Sequence, residues 1–136
     1  VATDEKPTNN NNIRINKMRK VTETIAESFY KGFKKTVSNT HTDGVNVWLH
    51  GNKIAWRNQD NTLSVTLAGW GTPTTRERIN GILDTFGIHY RIGQHKHEQI
   101  LKTYDNYSFE SLPYGDDTII TFFSDDVHLN GYKFSE

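Results

Sequence analysis

Apolar residues recur along this chain first at helical and then at strand spacing. Met18, Val21, Ile25, Phe29 and Phe33 fall three or four apart, which builds one apolar stripe and predicts an amphipathic helix from about Asn16. Lys17, Lys20, Lys31, Lys34 and Lys35 lie off that stripe, so the solvent side of the helix is basic. Gly32 weakens its last turn and Ser38-Asn39 marks the exit. From Val45 the period changes to two. Val45, Val47 and Leu49 share one face, and Asn46, Trp48 and His50 the other. His50-Gly51-Asn52 supplies a turn, because Gly and Asn tolerate positive φ. A strand carrying Ile54 and Trp56 follows, then the turn Asn58-Gln59-Asp60-Asn61. Leu63, Val65 and Leu67 then alternate with Ser64 and Thr66, completing a three-stranded antiparallel meander with one apolar and one mixed face.

Gly69-Trp70-Gly71 breaks the third strand and a second helix begins. Thr74 with Glu77 three residues on has the form of a capping box, and Thr72-Pro73 offers an earlier start. Ile79, Ile82, Leu83 and Phe86 occupy i, i+3, i+4 and i+7, and Gly87 suits the C-terminal cap. Residues 88–94 and 97–102 pair through a turn at His95-Lys96. Residues 105–117, with Pro113-Tyr114-Gly115, read as a loop. Residues 118–123 form a buried strand, and Asp125-Asp126 turns into a last short one, residues 127–134. The expected fold class is therefore α+β: an N-terminal amphipathic helix, a three-stranded meander, a capped helix and further antiparallel strands. Residues 1–12, which end in four asparagines, bury too little to offset ordering and read as a disordered arm. Residues 13–136 read as one domain.

Composition narrows the possibilities. The chain has 136 residues, the size of one core, but only 34% are hydrophobic. The core is lean, and assembly into a homo-oligomer is expected to complete it. The chain has no cysteine, which excludes disulfides, thiolate metal sites and thiol catalysis. The first residues lack the form of a signal peptide, and no apolar run approaches the roughly 20 residues that span a bilayer. A cytosolic protein without a membrane role is expected. The Asn106-Tyr107-Ser108 sequon is accordingly only formal.

Net charge is zero but unevenly distributed: residues 1–38 carry +4, residues 39–103 carry +2 and residues 104–136 carry −6. That split points to a basic working face and an acidic end.

Catalytic and metal signals are weak. His95 and His97 would share a strand face beside Glu98, but further ligands at recognisable spacing are missing. Thr40-His41-Thr42-Asp43 and Asp116-Asp117 are the other polar clusters, yet nothing in the sequence forms a nucleophile elbow or a phosphate-binding glycine loop. No cofactor, no metal and no enzymatic activity are expected.

Binding fits the residues better. Trp48 and Trp56 lie on adjacent strands with His50, Lys53 and Arg57 nearby, the residue types with which a sheet stacks bases and holds phosphates. Arg76 and Arg78 open the second helix, where a cation opposes the dipole unless it meets an anion. Tyr90 and Arg91 extend the set. The expected site is thus Trp48, Lys53, Trp56, Arg57, Arg76, Arg78, Tyr90 and Arg91, with five cations giving a steep salt dependence.

The residues Asn39-Thr40, Leu49-His50-Gly51-Asn52, Ile54-Ala55, Ala68-Gly69-Trp70 and Thr74-Thr75-Arg76-Glu77-Arg78-Ile79-Asn80-Gly81 resemble a pattern found in small proteins of tailed bacteriophages. The resemblance spans about residues 39–88 and implies a phage accessory protein acting in the host cytoplasm. More loosely, size and character are similar to the single-stranded-DNA-binding transcription regulators of N4-like phages, which implies oligomerisation and non-specific single-strand binding. The leading expectation is a non-enzymatic binder of single-stranded DNA or other nucleic acid, in a transcription or replication accessory role. The alternative is a protein-interaction module that inhibits or redirects a host enzyme, with Asp116, Asp117, Asp125 and Asp126 docking on a basic host surface. A third is a binder of nucleotide-like small molecules around Thr74, Thr75 and Arg76.

Overall fold

The computed structural model describes residues 18–103, 108–124 and 126–131. The expected arm at residues 1–12, Asn106 and Tyr107 of the sequon, Asp125 and the end of the last expected strand lie outside these. The fold is α+β. Helix α1 (Lys20–Lys31) is followed by strands β1 (Lys35–Val37), β2 (Thr40–Thr42), β3 (Asn46–Leu49), β4 (Asn52–Arg57) and β5 (Leu63–Thr66). Helix α2 (Pro73–Thr85) leads to β6 (Tyr90–His95), β7 (Glu98–Thr103) and β8 (Phe109–Ser111). A single 3₁₀ turn, Gly115–Asp117, then opens β9 (Thr118–Phe122), and β10 (Val127–Gly131) closes the described chain. Seven strands form one antiparallel sheet in the order β1-β2-β3-β4-β5-β9-β10, and β6-β7-β8 form a second, smaller one.

Helix α1 buries Ile25 and Phe29 of the predicted stripe together with Thr22 and Ala26, while Met18 and Val21 are half-buried. It stops sooner than expected. Gly32 takes a left-handed conformation (φ 80°), its N–H and that of Phe33 close on Phe29 and Ser28, and Phe33 is left 61% exposed. The chain to Thr42, for which the sequence marks only a helix exit at Ser38-Asn39 and a polar cluster from Thr40, makes the β1–β2 hairpin through Ser38-Asn39. The β-branched residues Thr36, Val37, Thr40 and Thr42 favour that outcome. In α2 the earlier of the two starts is used: Thr72 is the N-cap, its hydroxyl accepting from the Thr75 N–H at 3.2 Å, with Pro73 next. Strand β8 was expected as loop, and the β6–β7 turn falls at Lys96-His97, one residue later than expected.

The main core lies between the two helices and one face of the large sheet. Ile25, Phe29, Ile79, Ile82 and Leu83 from the helices meet Val47, Leu49, Ile54, Ala55, Leu63, Val65, Ile120 and Phe122 from the strands. Ile92, Leu101 and Leu112 bring the small sheet into the same cluster.

Three polar devices fix the relative positions of the layers. Asn80 on α2 treats the edge of β6 as a further strand would, donating to the Ile92 carbonyl at 3.0 Å and accepting from the Ile92 N–H at 2.8 Å. Arg78, only 4% exposed, donates to the hydroxyls of Thr40 (3.0 Å) and Thr22 (2.8 Å), to Asn39 (3.4 Å) and to Glu77. Glu77 also accepts the Thr22 hydroxyl and the Arg19 N–H at the start of α1, so the expected capping glutamate serves the other helix.

Where the helices cross, a Cβ on Gly81 would sit 2.2 Å from Thr22 Cγ2. An interior Gly→Ala change ordinarily gains about 1 kcal/mol in helix propensity. Here the sign reverses: Gly81→Ala is expected to lower the midpoint of urea unfolding by pushing the helices apart. Asn80→Ala is expected to cost on the order of 2–4 kcal/mol, because it strands two buried backbone groups of Ile92. Equilibrium denaturation of the two variants checks both.

Candidate nucleic-acid interface

Register decides what the outward face of the large sheet carries. Between β3 and β4 the pairing passes from Val47 opposite Ala55 to Trp48 opposite Lys53, so Ile54 is the extra residue of a bulge. Without the bulge, Lys53 and Trp56 would point to opposite faces. With it, Ile54 and Ala55 both turn inward and are buried, while Lys53 and Trp56 share the face of Trp48. Two cross-strand rows result. One runs Thr36, His41, Trp48, Lys53, and the other Asn46, Trp56, Ser64, Thr121, His128.

The side chains on these rows hold one another in place. The His41 imidazole lies against the Trp48 indole with centroids 5.3 Å apart, and Thr36 Oγ1 bonds His41 Nδ1. Trp56 Nε1 donates to Asn58 Oδ1 at 3.1 Å, which fixes the ring, and the Lys53 ammonium stands 4.8 Å from its centroid. Asn58 donates in turn to Ser64 at 2.9 Å, and Ser64 bonds Thr121 at 2.8 Å. At the β10 edge, His128 packs on exposed Phe123 at 4.4 Å and bonds Asp126 at 3.1 Å. The Val127 N–H, with His128, holds the Asp126 carboxyl below its usual pKa. Trp48 and Trp56 are half-buried, so each presents part of its ring to solvent from a rigid seat.

The other expected site residues lie elsewhere. Arg57 points to the inner face, where Nη2 donates to the Phe29 carbonyl at 2.8 Å and the guanidinium lies over Phe29 and Phe86 at 5.2 and 5.3 Å. It caps the negative end of α1. Arg78 is committed to the buried polar cluster already described. Tyr90 packs on Phe122 at 5.8 Å. Arg91 lies 3.9 Å from Asp84. Arg76 donates to the Gly71 carbonyl (3.1 Å) and to Gln94 and Gln99 (both 3.0 Å), so it rests against the small sheet among neutral acceptors. Of the eight, Trp48, Lys53 and Trp56 are brought together, and His41, which the sequence marks only as part of a polar cluster, joins them. The pairing of β2 with β3, invisible without the β1–β2 hairpin, puts it there.

Of the acidic residues in the C-terminal third, Asp116 binds the loop before α2 through Gly71 N–H at 3.1 Å, and Asp126 closes the β9–β10 turn. Of the histidines, His95 ends β6 and contacts Phe109 at 5.1 Å, while His97 sits in the turn with φ 71°. Among the described residues no group of three or more His, Asp or Glu is placed to hold a metal ion. No helix among them is long and apolar enough to cross a membrane.

An antiparallel sheet backed by two helices, with aromatic and basic groups on its open face, defines a small α+β protein. The chain belongs to the Kyanoviridae Gp96 protein family, whose model matches residues 16–125, and is therefore a tailed-phage protein. No curated protein and no solved structure matches it.

Asp84, on α2 beside Arg91, has its pKa raised by burial, against the opposing pull of Arg91 and His89. A raised carboxyl binds its proton more tightly folded than unfolded, so it stabilises the fold in acid and loses that contribution as pH rises through the folded pKa. The melting temperature of Asp84→Asn relative to the parent protein is accordingly expected to rise between pH 3 and pH 7. Thermal scans at the two pH values check the sign.

Proposed function

We propose that the protein binds single-stranded nucleic acid, DNA in the first instance, on the outward face of the β2–β3–β4 region, without catalysing a reaction on it. The observation that carries this reading is the pairing register: the β4 bulge gathers His41, Trp48, Lys53 and Trp56 onto one face. Trp48 and Trp56 would stack bases and Lys53 would contact phosphate. Imidazole and indole surfaces accept any base, so affinity would be sequence-tolerant.

The geometry also changes the expected salt response. Arg57 and Arg78 are occupied inside the fold, and Arg76 and Arg91 lie off the face. Lys53 is then the main phosphate contact. Each neutralised phosphate of a single strand contributes a slope of about −0.7 in log K against log salt. One or two contacts give roughly −0.7 to −1.4, a shallow dependence in place of the steep one that five cations would give. A transcription or replication accessory role in the infected cell would follow from such binding.

Anisotropy titration of a labelled oligodeoxythymidylate at two salt concentrations, with tryptophan quenching read in parallel, tests this. Trp48→Ala and Trp56→Ala are each expected to weaken binding by about 1–3 kcal/mol, with melting curves confirming that the variants are folded. Absence of binding at low salt, or affinity unchanged in both folded variants, would overturn the reading.

A further inference from the structure

At one end of the large sheet, on its inner side, the β3–β4 turn and the loop between β5 and α2 enclose a cavity of about 450 Å³. Its size falls in the range of about 300–1,000 Å³ that small-ligand sites occupy. Leu49, Ile54 and Leu67 are among its lining residues, and all three are buried. Trp70 lines it too, yet 58% of that side chain remains exposed. The indole thus offers a flat apolar surface both to the cavity and to solvent.

The loop that carries Trp70 is held firmly. Ala68 and Gly69 both adopt positive φ, 56° and 87°, and only Gly69 does so without steric cost. The Gly69 N–H donates to the Asp116 carbonyl at 3.0 Å and the Gly71 N–H to its carboxylate at 3.1 Å. Trp70 itself donates to the Leu67 carbonyl at 2.9 Å and accepts from the Thr72 N–H at 2.8 Å. A non-glycine residue in left-handed backbone beside a cavity is the kind of strain that binding sites retain.

The polar groups narrow the ligand. The Asn52 amide and the Thr74 hydroxyl line the cavity and make no hydrogen bond among the described residues. Together they can donate and accept. Among the described residues the cavity is lined by no Lys, Arg, Asp or Glu, and His50 is its one titratable side chain, so the lining favours a ligand whose enclosed part is uncharged. An apolar floor, an indole wall and a mixed donor–acceptor edge fit a planar, uncharged heteroaromatic ring with hydrogen-bonding groups on its rim. We propose that this cavity binds a nucleobase, presented as a free base or nucleoside, with Trp70 stacking on the ring and Asn52 and Thr74 reading its edge. The site is separate from the Trp48–Trp56 face and does not depend on the reading given to that face.

Isothermal titration of the full chain with adenosine, guanosine, cytidine and thymidine, with ribose as the control lacking a ring system, tests the proposal. At least one nucleoside is expected to bind saturably at one site per chain while ribose does not. Trp70→Ala is expected to weaken that binding about tenfold or more, and Thr74→Phe, which fills the cavity from its rim, to abolish it. Trp48→Ala is expected to leave it unchanged, which separates this site from oligonucleotide binding on the outer face. No heat with any of the four nucleosides, equal binding of ribose, or undiminished affinity in a natively melting Trp70→Ala protein would overturn it. Should Thr74→Phe fail to fold, the exposed Trp70 position decides the matter alone.

Discussion

The guanidinium of Arg78 is where the layers of this protein meet. It reaches from α2 to Thr22 of α1 and to Asn39 and Thr40 at the β1–β2 turn, with Glu77 supplying the countercharge. A buried cation is costly unless it is paired and its donors are satisfied, so each of these groups has to arrive together. Breaking one contact leaves the others worse off, which gives the cluster its power to specify a single arrangement. Gly81 permits the close helix crossing that brings Thr22 within reach, and Asn80 ties the opposite side of the same helix to β6. Little more than one turn of α2, residues 77–81, thus positions α1, the edge of the large sheet and the small sheet.

With the inner face closed in this way, what the large sheet presents to solvent is set by which residues the strands turn outward. The β4 bulge is the deciding feature there. It sends Ile54 and Ala55 into the core together and aligns Lys53 and Trp56 with Trp48. The same partition explains why arginines that look available in the sequence are not. Arg57 pairs across to Leu63, a core residue, and so its side chain runs inward to the end of α1. An arginine has a long apolar stem and five donors, which suits it to tying irregular backbone ends inside a fold as well as to holding phosphate. Arg57, Arg76, Arg78 and Arg91 therefore serve internal architecture, while the exposed lysines carry the basic charge that faces solvent.

The loop before α2 shows the same economy. Its glycines and Ala68 turn the chain sharply out of β5, and Asp116, from a distant part of the sequence, fastens it. That leaves Trp70 exposed at the mouth of a cavity whose floor belongs to the core.

Local pattern alone determined much of this protein. The period of 3.6 in residues 18–29 and 79–83 and the alternation from Val45 onward are backbone-geometry signals that do not need a neighbour to be read. They sufficed for the α+β class, both helices and the meander, but left the start of the second helix between Thr74 and Thr72-Pro73, which the engagement of Glu77 with α1 decides. The left-handed Gly32 and the β1–β2 hairpin were misjudged because a glycine tolerated in a weak last turn and a glycine that ends a helix look alike in sequence. Only tertiary structure could decide the site. Whether Trp48, Lys53 and Trp56 share a face depends on one bulge, and whether Arg57, Arg76, Arg78 and Arg91 meet solvent depends on partners up to 56 residues away. Charge and aromaticity are properties of a residue, whereas exposure and company are properties of the packed chain.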